Sequence, residues 1–224
     1  MQTTLRILMT DDHPMIIEGY QNTLIATKKA DQNLIIDIAN NCDESVKFME
    51  NGVEKNNPYD VLFMDISLPP SSDGKFNTGE DLAMYARSIM PKAKIIILTM
   101  FNETYRIHNI VRTINPEGFL IKSDLTSKEL ANAFQAVLSN PPFYSGTVNS
   151  LIRKTVSTNI VLDDVNRKIL HLLSQGIKTK NLKEHIDLSL SAIEKRKKYM
   201  KEVFFIEDGS DESLLEKAKN KGII

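Results

Sequence analysis

At 224 residues the chain exceeds the usual single domain of roughly 100–200 residues, so two domains are expected. Hydrophobic residues make up 42% and charged residues 25%, a globular composition with material for two modest cores. No apolar run approaches the ~20 residues that cross a bilayer, no leader pattern opens the chain, and the single Cys42 excludes an internal disulfide or a thiolate cluster. A cytoplasmic protein with no membrane partner is expected.

The net charge of −1 hides a mild asymmetry: residues 161–224 carry 13 Lys+Arg against 11 Asp+Glu, the remainder 15 against 18. That is too little to argue for nucleic acid, although Lys195-Arg196-Lys197-Lys198 form one basic run.

The first half interleaves short apolar runs with helical patterns. Strands are predicted at Leu5–Met9, Leu34–Ile38, Tyr59–Met64, Lys94–Leu98 and Gly118–Ile121. Helices are predicted near 14–28, 43–53, 79–89, 103–113 and 126–139. Strand–helix alternation implies a parallel sheet covered on both faces, and right-handed crossovers make it doubly wound. The expected fold is therefore an α/β doubly wound, five-stranded parallel sheet. Asn140-Pro141-Pro142 should stop the last helix, because proline lacks a donor and disfavours helix in the residue before it. A connector spanning 141–157 follows, with a short helix around Thr147–Lys154. From Asp163 onward Ile169, Leu170, Leu172, Leu173, Ile177, Leu182 and Ile186 recur at helical spacing, so a second, all-α domain is expected over 158–224.

In an open parallel sheet the functional crevice lies beyond the carboxyl ends of the strands. Asp11 and Asp12 follow the first strand, Asp65 the third, Thr99 the fourth and Lys122 the fifth. Three crowded carboxylates repel one another unless a cation joins them. A hard oxygen set with open positions suits Mg²⁺, which keeps waters and accepts phosphate oxygens. A carboxylate beside that ion serves as nucleophile, giving an aspartyl-phosphate, while the ammonium and the hydroxyl hold phosphoryl oxygens. Each residue taken singly has a plainer reading: Asp11 or Asp12 as a helix cap, Lys122 as a solvated strand-end lysine, Thr99 as an ordinary β residue. Their joint placement favours the functional reading.

Met9-Thr10-Asp11-Asp12-His13-Pro14, Phe63-Met64-Asp65-Ile66-Ser67-Leu68-Pro69, Ile97-Leu98-Thr99 and Phe119-Leu120-Ile121-Lys122-Ser123 resemble the flavodoxin-like receiver family of two-component systems over about residues 4–139. The resemblance implies that Asp65 is the phospho-acceptor and that Asp11, Asp12 and Asp65 hold Mg²⁺ with the Ser67 carbonyl. It also implies that Thr99 and Lys122 sense the phosphoryl group and that Phe119 is the rotating aromatic of the switch, with plain core packing as its alternative. Two departures stand out. The polar loop over 70–78 is longer than usual and reads as an inert insertion, the alternative being that it shapes partner access, and Met100 replaces the customary small residue after Thr99, which would tighten the pocket. Ser67 and Phe101 flank the path of a hydrolysing water in that fold. Phe101 offers no hydrogen bond, so a long-lived phosphoryl group is expected, the alternative being that Phe101 packs on the next helix.

In the second domain Gly176 is a helix stop, a short helix and a turn at Asp187-Leu188-Ser189 follow, and Ser189 caps the next helix. On that helix Ile193, Met200 and Phe204 share a buried face, leaving Glu194, Lys195, Lys198 and Lys201 outward, as in a groove-reading helix; a solvated lysine-rich face is the plainer alternative. The segment 158–224 resembles the output domain of NarL/FixJ (LuxR-type helix-turn-helix) regulators. The resemblance implies that Glu194, Lys195 and Lys198 face bases and that Lys197 and Lys201 suit phosphates. It also makes the helix near 211–221 a dimerisation element, the alternative being a fourth core helix. Residues 163–168 lack the customary Thr-Pro-Arg-Glu opening. Glu194 stands where a basic residue is customary and Arg196 where a His is, and a Glu accepts from cytosine N4.

These readings define a response regulator: receiver 1–140, linker 141–157, helix-turn-helix 158–224. Its expected partners are a sensor histidine kinase, double-stranded DNA and a second copy when phosphorylated. It is expected to be no enzyme beyond assisting its own phosphorylation and dephosphorylation. The rivals are an output domain that binds protein, and an aspartyl-phosphate phosphohydrolase like the haloacid dehalogenases, which want a second Asp where Ser67 stands.

Overall fold

The computed structural model describes residues 2–100, 104–139, 142–156, 162–206 and 208–224. The chain divides into two units, Met1–Phe101 with Ile110–Val148, and Asn102–Asn109 with Asn149–Ile224. In the first, β1 (Thr3–Thr10), β2 (Gln32–Ala39), β3 (Val61–Asp65), β4 (Lys94–Thr99), β5 (Gly118–Ile121) and β6 (Phe143–Tyr144) form one sheet in the order β2-β1-β3-β4-β5-β6. Every pairing is parallel. The intervening helices are α1 (Pro14–Thr27), α2 (Cys42–Glu54), α3 (Gly79–Ile89), α4 (Thr104–Ile114) and α5 (Ser127–Leu138). The sheet thus has six strands rather than the five expected. The extra one comes from the connector, where Phe143 N–H donates to the Glu117 carbonyl (2.8 Å) and Ser145 N–H to the Phe119 carbonyl (2.9 Å).

Side chains alternate across a strand, so each strand feeds two layers. Ile7, Met9, Val61, Phe63, Ile96, Leu98 and Leu120 turn to the layer where Ile17 and Leu24 of α1 meet Leu130, Phe134 and Val137 of α5. Helix starts carry sequence-encoded caps: Asn41, Thr78 and Thr126 each accept a backbone N–H three residues on, satisfying a donor the helix leaves orphaned. The 70–78 loop is tied down by Ser71, whose N–H donates to the Phe76 carbonyl (2.7 Å) and whose hydroxyl donates to Asp73 (2.8 Å). Its Ser72 N–H reaches the Asp43 carboxylate at 3.0 Å. Turn hydrogen bonds from Lys75 and Ser71 hold the exposed Asp73 carboxyl at about 2.

The second unit is helical. It contains the start of α4 as far as Asn109 and the end of α6 (Gly146–Val156), then α7 (Asp164–Ser174), a 3-10 turn at Thr179–Glu184, α8 (Leu190–Val203) and α9 (Asp211–Asn220). Asp163, Ser189 and Ser210 cap α7, α8 and α9. Gly176, at φ +82°, occupies the left-handed conformation that ends α7, which costs glycine nothing. The core gathers Ile169, Leu173, Leu182, Ile193, Phe204, Leu214 and Ile223. Phe204 is fully buried, and cutting it to Ala would cost about 3–5 kcal/mol. Among the described residues no helix is long and apolar enough to cross a membrane.

Candidate functional site

Strand alternation sends Asp11, Asp65 and Lys122 to one side of the sheet. Each stands two residues beyond a core residue of the α1/α5 layer: Met9, Phe63 and Leu120. Parallel register places Thr10 beside Met64, Asp65 beside Leu98 and Leu98 beside Leu120, so Asp11 and Asp65 stand level and Lys122 lies two residues beyond them. The three polar groups therefore converge under cover. Asp11 is 2% exposed and Asp65 1%. Lys122 Nζ donates to Asp11 Oδ2 at 2.6 Å and lies 2.9 Å from Asp65 Oδ2. The Asp65 contact is ionic and poorly directed, since Oδ2 accepts no hydrogen bond of good geometry. Asp65 Oδ1 accepts the Ser67 N–H at 3.1 Å. The α1 cap is His13, which makes no side-chain cap, so neither Asp11 nor Asp12 caps that helix. Asp11 Oδ1 instead accepts the His13 N–H at 3.0 Å.

The donor set fits a divalent cation. One ligand atom from each of Asp11, Asp12, His13 and Asp65 lies within 4.8 Å of the others. Three carboxylates against one ammonium leave an excess that a doubly charged ion would cancel. Asp12 Oδ1 and Asp65 Oδ2 are buried oxygens without a hydrogen bond, and buried polar atoms normally have one. His13 Nδ1 lies 2.8 Å from Asp12 Oδ1, an ion pair only when the ring is protonated. Three carboxylates favour a hard ion of the Mg²⁺ type. Ser67 sits beside Asp65 through its N–H; its expected role as a carbonyl ligand concerns a different atom.

Thr99 is buried at the end of β4 and Phe119 is buried in β5, where its ring meets Tyr144 edge-on at 6.4 Å. Met100 is 61% exposed. It lines a groove of about 390 Å³ with Met15, Ile16, Tyr20 and Leu125 that reaches Lys122 from the surface. Burial, and then the charges of Asp11 and Asp65, raise the Tyr20 hydroxyl well above its ordinary range, so it stays neutral. Phe101 lies outside the described residues.

Gly79 was missed by the sequence reasoning. A Cβ there would stand 1.9 Å from the Asp65 carbonyl oxygen, and the Gly79 N–H donates to the Ile66 carbonyl at 3.1 Å. The signal was available, since glycine is a poor choice in a helix unless something approaches closely.

On α8 the charged residues expected to meet DNA divide. Glu194, Lys195 and Lys198 are exposed. Arg196 Nη1 instead pairs with Asp163 Oδ2 at 2.6 Å and donates to Asn166 Oδ1 at 3.0 Å. Lys197 is 5% exposed, with Nζ 2.7 Å from both Asp211 Oδ2 and Thr179 Oγ1, so it turns inward. Lys201 Nζ meets Asp211 Oδ1 at 2.6 Å and the Gly209 carbonyl at 2.7 Å. Burial alone would raise the Asp211 pKa, but the two lysines outweigh it and lower it.

No protein-family model matches the chain. It is similar to the oxygen regulatory protein NreC of Staphylococcus carnosus, 24% identical over 208 residues that cover 88% of this chain and 89% of that one. NreC of Staphylococcus haemolyticus matches with the same identity and coverage. Among solved structures it is similar to a complex of the two-component response regulator RcsB with DNA (TM-score 0.63, 22% identity, 97% and 98% of the two chains). Salmonella enterica RcsB, bound to a promoter in the presence of the phosphomimetic BeF3−, gives TM-score 0.63 at 20% identity over 99% and 100%. The fold of a receiver followed by a helical helix-turn-helix domain, and the likeness to NarL/FixJ response regulators, are borne out.

Proposed function

We propose that this chain is a two-component response regulator of the NarL/FixJ type, which takes a phosphoryl group on Asp65 and regulates transcription by binding double-stranded DNA. The observation that carries it is the buried Lys122 ammonium lying between Asp11 and Asp65 where three strands end. The DNA-bound RcsB structures and the NreC relatives support the regulatory part of this reading.

The chemistry follows from the side chains. The Asp65 carboxylate attacks the phosphorus of a sensor kinase's phosphohistidine, the phosphorus–nitrogen bond breaks, and the imidazole leaves with the electron pair. Lys122 holds a phosphoryl oxygen through a charge-assisted hydrogen bond, and Thr99 offers a second donor. Asp11, Asp12, Asp65 and the Ser67 carbonyl would hold Mg²⁺, which supplies charge neutralisation at the phosphoryl oxygens. Phe119 and Thr99 then report the new charge, and a homodimer forms on DNA. The chain assists its own phosphorylation and dephosphorylation but turns over no other substrate, and it works in the cytoplasm.

Incubation with acetyl phosphate and Mg²⁺ should add one phosphate by intact mass, and Asp65→Ala or EDTA should abolish it. Labelling that persists in Asp65→Ala sinks the assignment. The internal pairing of Arg196, Lys197 and Lys201 favours a second reading, an output domain that binds protein. Gel shifts with the protein's own promoter region separate the two.

A further inference from the structure

Six charged residues lie between 194 and 201 on α8, and three are already engaged within their own domain. Arg196 is held by Asp163 and Asn166, while Lys197 and Lys201 share Asp211. Glu194, Lys195 and Lys198 remain outward. Glu194 and Lys198 are one turn apart and so lie one above the other on a single face. In a helix-turn-helix module the second helix enters the major groove and its amino-terminal residues touch base edges. Residues 194–198 fall in the second and third turns of α8, which runs from Leu190 to Val203.

A carboxylate on that face is repelled by the phosphates on either side of the groove. It is tolerated on the groove floor only opposite a hydrogen-bond donor, because it can only accept. The major groove offers such donors at cytosine N4 and adenine N6, and carboxylates suit the cytosine amine, whereas adenine suits the amides of Asn and Gln. Lys197 also bears on Glu194. Its ammonium, fixed by Asp211 and Thr179, lies 3.6 Å from Glu194 Oε2, near enough to orient the carboxylate yet too far to satisfy it. The group stays 55% exposed and free to bond outward.

We propose that Glu194 is a specificity-determining residue that reads cytosine, so that each half-site carries a C·G pair opposite the second turn of α8. A lysine or arginine in that place would select guanine through its O6 and N7 acceptors. The proposal rests on the DNA-binding reading above and deepens it.

The test is selection from a random DNA library by the full-length protein phosphorylated with acetyl phosphate and Mg²⁺, followed by competition binding on the enriched site. Wild type should enrich a motif with an invariant cytosine and lose about ten-fold in affinity when that base is changed. Glu194→Ala should bind the original and changed sites equally, and Glu194→Lys should prefer guanine there. Because Glu194 is half exposed, Glu194→Ala should melt close to wild type, whereas Glu194→Lys, which sets a second cation beside Lys197, should melt lower and is read by its base preference alone. Undiminished discrimination at every cytosine by Glu194→Ala overturns the proposal while leaving DNA binding intact. Failure of wild type to enrich any sequence overturns the DNA-binding reading itself, and points to a protein partner.

Discussion

Replacing Gly79 with alanine probes the link between the α3 start and the phospho-acceptor. The new methyl carbon would lie 1.9 Å from the Asp65 carbonyl oxygen, 2.9 Å from the carbonyl carbon and 2.9 Å from Ile66 Cα. Ordinary non-bonded contacts lie near 3.5 Å, so the backbone must give by roughly 1.5 Å. All three atoms belong to main chain at the end of β3, where no rotamer change relieves the clash. Overpacking of this kind costs about 1–3 kcal/mol, and a displacement of about 1 Å in a reacting group lowers rate by roughly 10²-fold. Gly79→Ala should therefore melt lower and take phosphate from acetyl phosphate about a hundred times more slowly, by intact mass against time. Gly19→Ala is the control: nothing lies within 4 Å of its Cβ, and α1 should gain about 0.5–1 kcal/mol with phosphorylation unchanged. Wild-type stability and labelling rate in Gly79→Ala would refute the reasoning.

Removing the carboxylate of Asp211 by Asp211→Asn should cost about 1 kcal/mol in urea at neutral pH, an amount reduced by its partial exposure. The folded pKa of Asp211 is lowered, so this stability is full above the unfolded value near 4 and lost as pH falls through the folded value. The gap between variant and wild type should accordingly close in acid, and a gap that widens there counts against the ion pairs. Substituting both Lys195 and Lys198 with Ala should weaken DNA binding and flatten its salt dependence by about one unit of slope per lost phosphate partner, whereas unchanged affinity and slope favour a protein-binding output. Burial pushes the Cys42 thiol up to about 11, so iodoacetamide at pH 8 should alkylate it far more slowly in folded protein than in denaturant. Equal rates would contradict its burial.

The residues of the receiver site were legible because parallel strands announce themselves as apolar runs, and the polar residue after each run falls at one edge by construction. Asp11, Asp65, Thr99 and Lys122 could be placed with no knowledge of tertiary contacts. β6 was not legible: Phe143–Tyr144 is two residues long and follows two prolines, and only the open edge of β5 gives it a partner. The expected helix at Thr147–Lys154 is there, as α6. The short helix after Gly176 is a 3-10 turn, a difference that apolar spacing cannot resolve over six residues. The family resemblance gives Lys197 a phosphate-contacting role, which its burial contradicts. Its spacing of four after Ile193 and three before Met200 puts it on the buried face, and the acceptor that makes burial tolerable, Asp211, lies on another helix.

The two-residue strand β6 bears on how this protein can be cut. Without Phe143–Tyr144 the outer rim of β5 would present bare main-chain donors and acceptors, the template on which foreign strands add and aggregates grow. A receiver ending at residue 140 would carry that open rim, and the Phe119 ring would lose the Tyr144 edge that shields it. A self-contained first module therefore has to run past Ser145, whose N–H closes the last rung.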